Sequence, residues 1–196
     1  MVNGFMQRLR ESIMPLHDEA EKMGPLHAIA DGTIKLDEYI RVLERLYGFV
    51  RIAEKAIEDQ MDHRCVALDY LNRKRANHLI NDLTFLGRSR GFIQHLSCFD
   101  SSSRLTRLPD ALGYLYLFEG SRLGGLVLSK ALKEHFRFQD FRGYSYFGSN
   151  GADVPEMWGS FKDFMENYVD KYGEGDEIIR AAKKGFTLLN EWLAKV

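Results

Sequence analysis

The chain has 196 residues, 45% of them hydrophobic and 12% aromatic, and its 27 basic and 28 acidic side chains leave a net charge of -1. That length suits one domain, residues 1–196, with a core of ordinary size, and four prolines without any repetitive tract exclude an extended disordered chain. Near-neutral charge gives no reason to expect nucleic acid or an anionic membrane surface as partner. No window approaches the roughly 18 apolar residues of a membrane span, and the N-terminus has no signal-peptide core, so the expected location is the cytoplasm.

The first elements follow a helical period. Met6, Leu9, Ile13, Leu16 and Ala20 recur at spacings of three and four, which predicts one apolar helix face within residues 5–30, with Pro15 kinking or delaying it. After "DGTIKLDEY", Asp37 or a neighbour is placed to cap a second helix to about residue 60, with Tyr39, Leu43, Leu46 and Val50 on its apolar side. The segment "VALDYLNRKRANHLINDLTFLGRS" repeats the period and stops at Gly87. Residues 101–109 read as a loop, and Pro109 and Asp110 suit the first turn of the next helix. The stretch "FRFQDFRGYSYFGSNGADVP" reads as an irregular connection, with a short hairpin as the alternative; two more helices are expected over 154–172 and 176–195. The sum is an all-α fold of six to eight helices.

One of these helices carries Gly120, Gly124 and Gly125. Three glycines in a helix interior forgo roughly 3 kcal/mol relative to alanine, so something must approach that backbone closely. Either another helix or a flat ligand meets the requirement. Glu119 and Ser121, polar groups beside the glycines in an apolar helix, favour a ligand.

The histidines narrow the chemistry. None of the six has a glutamate three residues before it, and there is no HExxH, which excludes a di-iron carboxylate bundle and that type of zinc site. Cys65 and Cys98 form no CxxC pair and read as buried thiols rather than a disulfide. His17 lies about 40° from Ile13 and about 80° from Leu9 on the helical wheel, so it is expected to face inward. Arg10 stands seven residues earlier on nearly the same face, a pairing that suits a tetrapyrrole whose iron takes an imidazole and whose propionates need cations, Arg8 or Arg10.

"LHDEAE" near the N-terminus and "YLFEGSRLGGLVL" in the middle resemble the proximal-histidine and distal-glycine segments of biliverdin-producing haem oxygenases, bacterial type. "RANHLINDLTFLG", "MWGSFKDFM" and "AAKKGFTLLNEWL" extend the resemblance over nearly the whole chain. It implies a helical bundle with haem, both substrate and cofactor, held between a proximal and a distal helix. His17 would be the proximal iron ligand, and Gly120, Gly124 and Gly125 would let the distal helix lie over the haem face. Arg10 and Lys162 match propionate-binding positions, whereas Glu166 stands where some members have arginine. Ser121 replaces the aspartate of the animal enzymes, leaving Tyr114, Tyr116 and Glu119 as further candidates for proton delivery.

The implied reaction cleaves haem to biliverdin, carbon monoxide and ferrous iron with dioxygen. No dinucleotide or flavin motif is visible, so electrons must come from a partner such as a ferredoxin or a flavin reductase. Two rivals remain: a haem carrier or sensor on the same scaffold, and a thiaminase-type member of the wider helical superfamily acting through a cysteine.

Overall fold

The computed structural model describes residues 4–22, 24–99, 105–148 and 153–196. It contains α1 (Phe5–Lys22), α2 (Pro25–Ala30), α3 (Leu36–Glu58), α4 (Ala76–Phe85), α5 (Arg90–Gln94), α6 (Leu108–Phe136), α7 (Ser145–Gly148), α8 (Val154–Tyr172) and α9 (Gly175–Leu193). No strand occurs among the described residues, in agreement with the all-α expectation. Among the described residues the helix total exceeds six to eight because the segment read as one helix over 5–30 is two, α1 and α2, and because the short α5 and α7 add two more. The 29-residue α6 runs through the middle and packs against α2, α3, α7, α8 and α9.

Several local expectations need correction. α1 runs without a break through Pro15, so the proline costs a hydrogen bond to Glu11 but does not delay the helix. α3 is bounded not by Asp37 but by Lys35, whose amide donates to Glu38 Oε2 at 3.0 Å. The segment before Gly87 is only half α-helical. Residues His63–Leu68 and Tyr70–Arg73 form 3-10 turns separated by Asp69, which adopts a left-handed conformation with φ of 49°. The Arg73 side chain folds back to donate to Leu68 O at 2.6 Å, which holds these turns in place of a continuous helix. No hairpin forms between α6 and α8 among the described residues. Asp82 on α4 accepts from the amides of Ser145 and Tyr146 at 2.8 Å each and thereby nucleates α7. Burial pushes the Asp82 carboxyl up to about 6. Residues 101–104 of the expected loop lie outside the described set; Pro109 does sit in the first turn of α6.

α9 fixes the relative placement of α1 and α6. A methyl at Gly113 of α6 would lie 2.6 Å from Ile178 O and 2.7 Å from both Ala181 Cβ and Ala182 N, so only glycine lets α6 approach the α9 backbone there. Gly113→Ala is therefore expected to lower the melting temperature. Overpacking costs roughly 1–3 kcal/mol, which outweighs the gain of about 1 kcal/mol in helix preference, and thermal unfolding of the purified variant checks it.

Candidate functional site

Gly120 and Gly124 lie within about 20° of Gly113 on the helical wheel of α6, so they share the side that meets α9 two turns earlier. Their surroundings are nevertheless opposite. A methyl at Gly120 or at Gly124 meets nothing within 4 Å. Leu123 and Val127 on the same side are exposed at 39% and 66%. A bare apolar stripe thus runs along the middle of the most central helix. Close helix packing explains Gly113 and leaves Gly120 and Gly124 unexplained.

Gly125 departs from the reading that grouped it with them. A methyl there would stand 3.0 Å from Phe147 O, so Gly125 seats α7 on the other side of α6.

Neighbouring residues of α9 touch both α6 and α1. The Tyr114 ring of α6 lies 3.5 Å from a methyl placed at Gly185, while the next residue, Phe186, has its ring 6.4 Å from His17. His17 is exposed, as is Met14 one turn before it, which corrects the expectation of an inward-facing histidine. Leu9 and Ile13 supply the buried face of α1, and the imidazole stands on its open edge. Arg10, also exposed, lies near enough to Tyr116 of α6 for its charge to act on the phenol. Burial raises the Tyr116 phenol above the ordinary range, and Arg10 pulls it the other way. The Tyr116 ring packs 5.9 Å from Trp158 of α8.

α1 is held at its N-terminus and again beside His17. Glu166 of α8 accepts from the amides of Phe5 and Met6 at 2.9 Å each, filling two of the donors a helix N-terminus leaves open. Asn190 donates to Leu16 O at 3.3 Å, beside His17. The carboxylate found where a propionate-binding cation was looked for is therefore a helix cap. Lys162, one turn earlier on α8, is exposed and projects from the same side as Glu166.

Glu119 belongs elsewhere than expected. It has no exposure; Arg73 Nη1 donates to Oε2 at 2.6 Å and Arg122 Nε donates to Oε1 at 3.1 Å. Both oxygens are committed to buried guanidiniums behind α6, so Glu119 anchors the helix and does not carry protons to its open side. Ser121 Oγ donates to Phe118 O at 2.8 Å and accepts from Arg75 Nη2 at 2.7 Å. Sequence reasoning missed Arg73, Arg75 and Arg122. The available signal was the cluster "NRKR" at 72–75, three cations in a stretch with no call for surface charge.

The sequence family model described as heme oxygenase matches residues 3–195. A heme oxygenase of Xanthomonas campestris pv. campestris is 25% identical over 169 residues, covering 86% of this chain and 96% of that protein. The fold is similar to that of heme oxygenase from Leptospira interrogans, with TM-score 0.81, 18% identity and coverage of 99% of this chain and 100% of that one. It is similar also to heme oxygenase-1 of the cyanobacterium Synechocystis in complex with heme, with TM-score 0.82, 17% identity and coverage of 98% and 92%.

Two outcomes separate the open face of α6 from its anchored one. Gly120→Ala and Gly124→Ala should leave the ligand-free chain as stable or raise its stability by up to about 1 kcal/mol, since the methyl meets open space. Glu119→Ala should cost about 3–5 kcal/mol by leaving Arg73 and Arg122 without a carboxylate. Melting curves of the ligand-free variants measure both.

Proposed function

The chain belongs to the haem oxygenase family, and from that premise we propose that it cleaves haem to biliverdin, carbon monoxide and ferrous iron, using dioxygen and electrons from an external ferredoxin or flavin reductase. The observation that carries this reading is the bare glycine stripe of α6 together with the exposed His17 of α1, two helices that both pack on α9. A flat apolar ligand of macrocycle size would cover Leu123 and Val127, which are otherwise left to water. Haem fits such a cradle: its faces are apolar, its iron takes an imidazole, and its propionates take cations.

When bound, haem supplies the iron chemistry that activates dioxygen and is itself the molecule oxidised. The chain's part is to bind, orient and hydrogen-bond. His17 would offer its imidazole to the iron from the edge of α1, and the contacts of Glu166 and Asn190 hold that edge at a fixed height over α9. Arg10 and Lys162 are exposed cations suited to propionates. Gly120 and Gly124 keep side chains off the opposite wall, leaving room for a small ligand beside the backbone. Gly125 supports that wall from behind through Phe147. At the border Ser121 spends its one proton on Phe118 O and so offers a lone pair to an incoming water.

The thiaminase-type alternative asks for a reactive thiol, and the structure speaks against Cys65 in that part. Cys65 is buried, and burial pushes its thiol up, away from the thiolate.

Titration of the purified chain with haemin should give one Soret-absorbing complex, and His17→Ala should lose its histidine-ligated spectrum. With a ferredoxin, its reductase, NADPH and catalase present, the complex should lose its Soret band and yield biliverdin and carbon monoxide. Haem that binds through His17 but stays intact makes the chain a carrier or sensor; a His17→Ala spectrum and affinity equal to those of the unaltered chain remove His17 as the ligand.

A further inference from the structure

Behind the open stripe of α6 lies a group of buried guanidiniums, and one of them differs from the others in its partners. Arg73 and Arg122 both donate to the Glu119 carboxylate. Arg75, 4% exposed, directs Nη2 to Phe118 O at 3.1 Å, Ser121 Oγ at 2.7 Å and Tyr146 OH at 3.4 Å. Its guanidinium carbon stands 4.4 Å over the Tyr146 ring. These acceptors are all neutral. The nearby carboxylate of Glu54 accepts at Oε1 from the backbone amides of Arg75 and Ala76, at 2.5 and 3.2 Å, and at Oε2 from that of Ala76 at 3.3 Å; it feels the Arg75 charge and offsets it in part, but makes no hydrogen bond to the guanidinium. The other buried carboxylate of this region, Asp82, is turned to the amides of α7. Arg122 feels Arg75 as a like charge, so the guanidiniums reinforce one another's potential.

The direction of that potential is set by Ser121. It adjoins Gly120, whose missing side chain opens on the uncovered stripe, and Ser121 itself is exposed while its hydroxyl touches Arg75. A fixed positive charge therefore stands one hydroxyl away from the open side of α6, in surroundings that screen it poorly. We infer that Arg75 is a positioning residue for the reaction: held behind α6, it orients the Ser121 hydroxyl and lends the distal wall a positive potential that favours a small ligand accumulating negative charge at its outer end. The physical ground is that preorganised charges aimed at developing charge cost no rearrangement when it forms. A carboxylate at position 121 would cancel this potential; serine transmits it.

This inference rests on the haem reading above, and its test can fail separately. Carbon monoxide bound to the ferrous haem complex reports the field at its oxygen, because a positive potential there draws electron density into the antibonding orbital and lowers the C–O stretching frequency. Infrared spectra of the carbon monoxide complexes of the unaltered chain, Arg75→Gln, Arg75→Lys and Ser121→Ala read this directly. Arg75→Gln should raise the frequency and Arg75→Lys should raise it less, while Ser121→Ala, which removes an oxygen lone pair from between Arg75 and the stripe, should lower it, with the Soret band unmoved in all. A frequency in Arg75→Gln equal to that of the unaltered chain overturns the inference, since a merely structural arginine would not be seen by the probe. Should Arg75→Gln fail to fold, an unchanged frequency in Ser121→Ala overturns it instead. Failure of the unaltered chain to form a haem complex at all overturns the haem reading and this inference with it.

Discussion

Glu119 sits without exposure between the Arg73 and Arg122 guanidiniums, and the placement of α6 depends on that contact. A helix that leaves a long apolar stripe bare cannot be located by packing along that stripe, so contacts elsewhere on the helix must fix its register. They do so with different physics. At Gly113 the backbones of α6 and α9 come together because nothing but hydrogen stands between them, and at Gly125 the same device admits Phe147. Behind Glu119 the contact is ionic. Arg122 Nη2 also donates to Arg73 O at 2.6 Å, and Arg73 Nη2 to Ser160 Oγ at 3.0 Å, so the cluster ties α6 to the 3-10 segment and to α8. Burying such charges costs several kcal/mol, and the added hydrogen bonds offset that cost only in one geometry. The ionic cluster thus selects a register that apolar packing alone would leave loose.

α1 follows a parallel logic with lighter means. Its apolar residues Leu9 and Ile13 set which face meets the core, but not how far the helix slides along its axis. Glu166 removes that freedom at the N-terminus and Asn190 at Leu16, beside the histidine. Both partners come from the C-terminal helices α8 and α9. The height of His17 is consequently decided by residues about 150 to 170 positions later in the chain, which is why "LHDEAE" alone specifies a histidine but not its setting.

Four of the long helices are legible because a 3.6-residue period is a local signal, and α1, α3, α8 and α9 each carry it over enough turns; α6, apolar on nearly every side of its first half, is marked instead by Pro109 and Asp110 at its start. What a glycine or a carboxylate is for is not local. Gly120, Gly124 and Gly125 have equivalent sequence surroundings, yet only the position of Phe147, more than twenty residues on, distinguishes the third from the first two. Glu119 looked like chemistry because a carboxylate in an apolar helix demands a partner; that partner, Arg73, is 46 residues earlier, in a stretch whose helical period was misleading. His17 fell near the apolar stripe of α1 by wheel geometry, and the wheel cannot tell a core from a cleft, since both select the same face.

The bare stripe also links the fold to its ligand. Leu123 and Val127, exposed at 39% and 66%, gain nothing from the hydrophobic effect while uncovered, and Gly120 and Gly124 carry their helix penalty with no packing to repay it. The ligand-free chain is therefore less stable than its helix content suggests, and the deficit is concentrated in the segment that a ligand would cover. Covering it adds apolar burial at those same residues, so binding and local order rise together. The residues that would make the site receptive are those that hold stability back, while Gly113, two turns before the stripe, and Glu119 and Gly125, on other sides of the helix, keep α6 in place without a ligand.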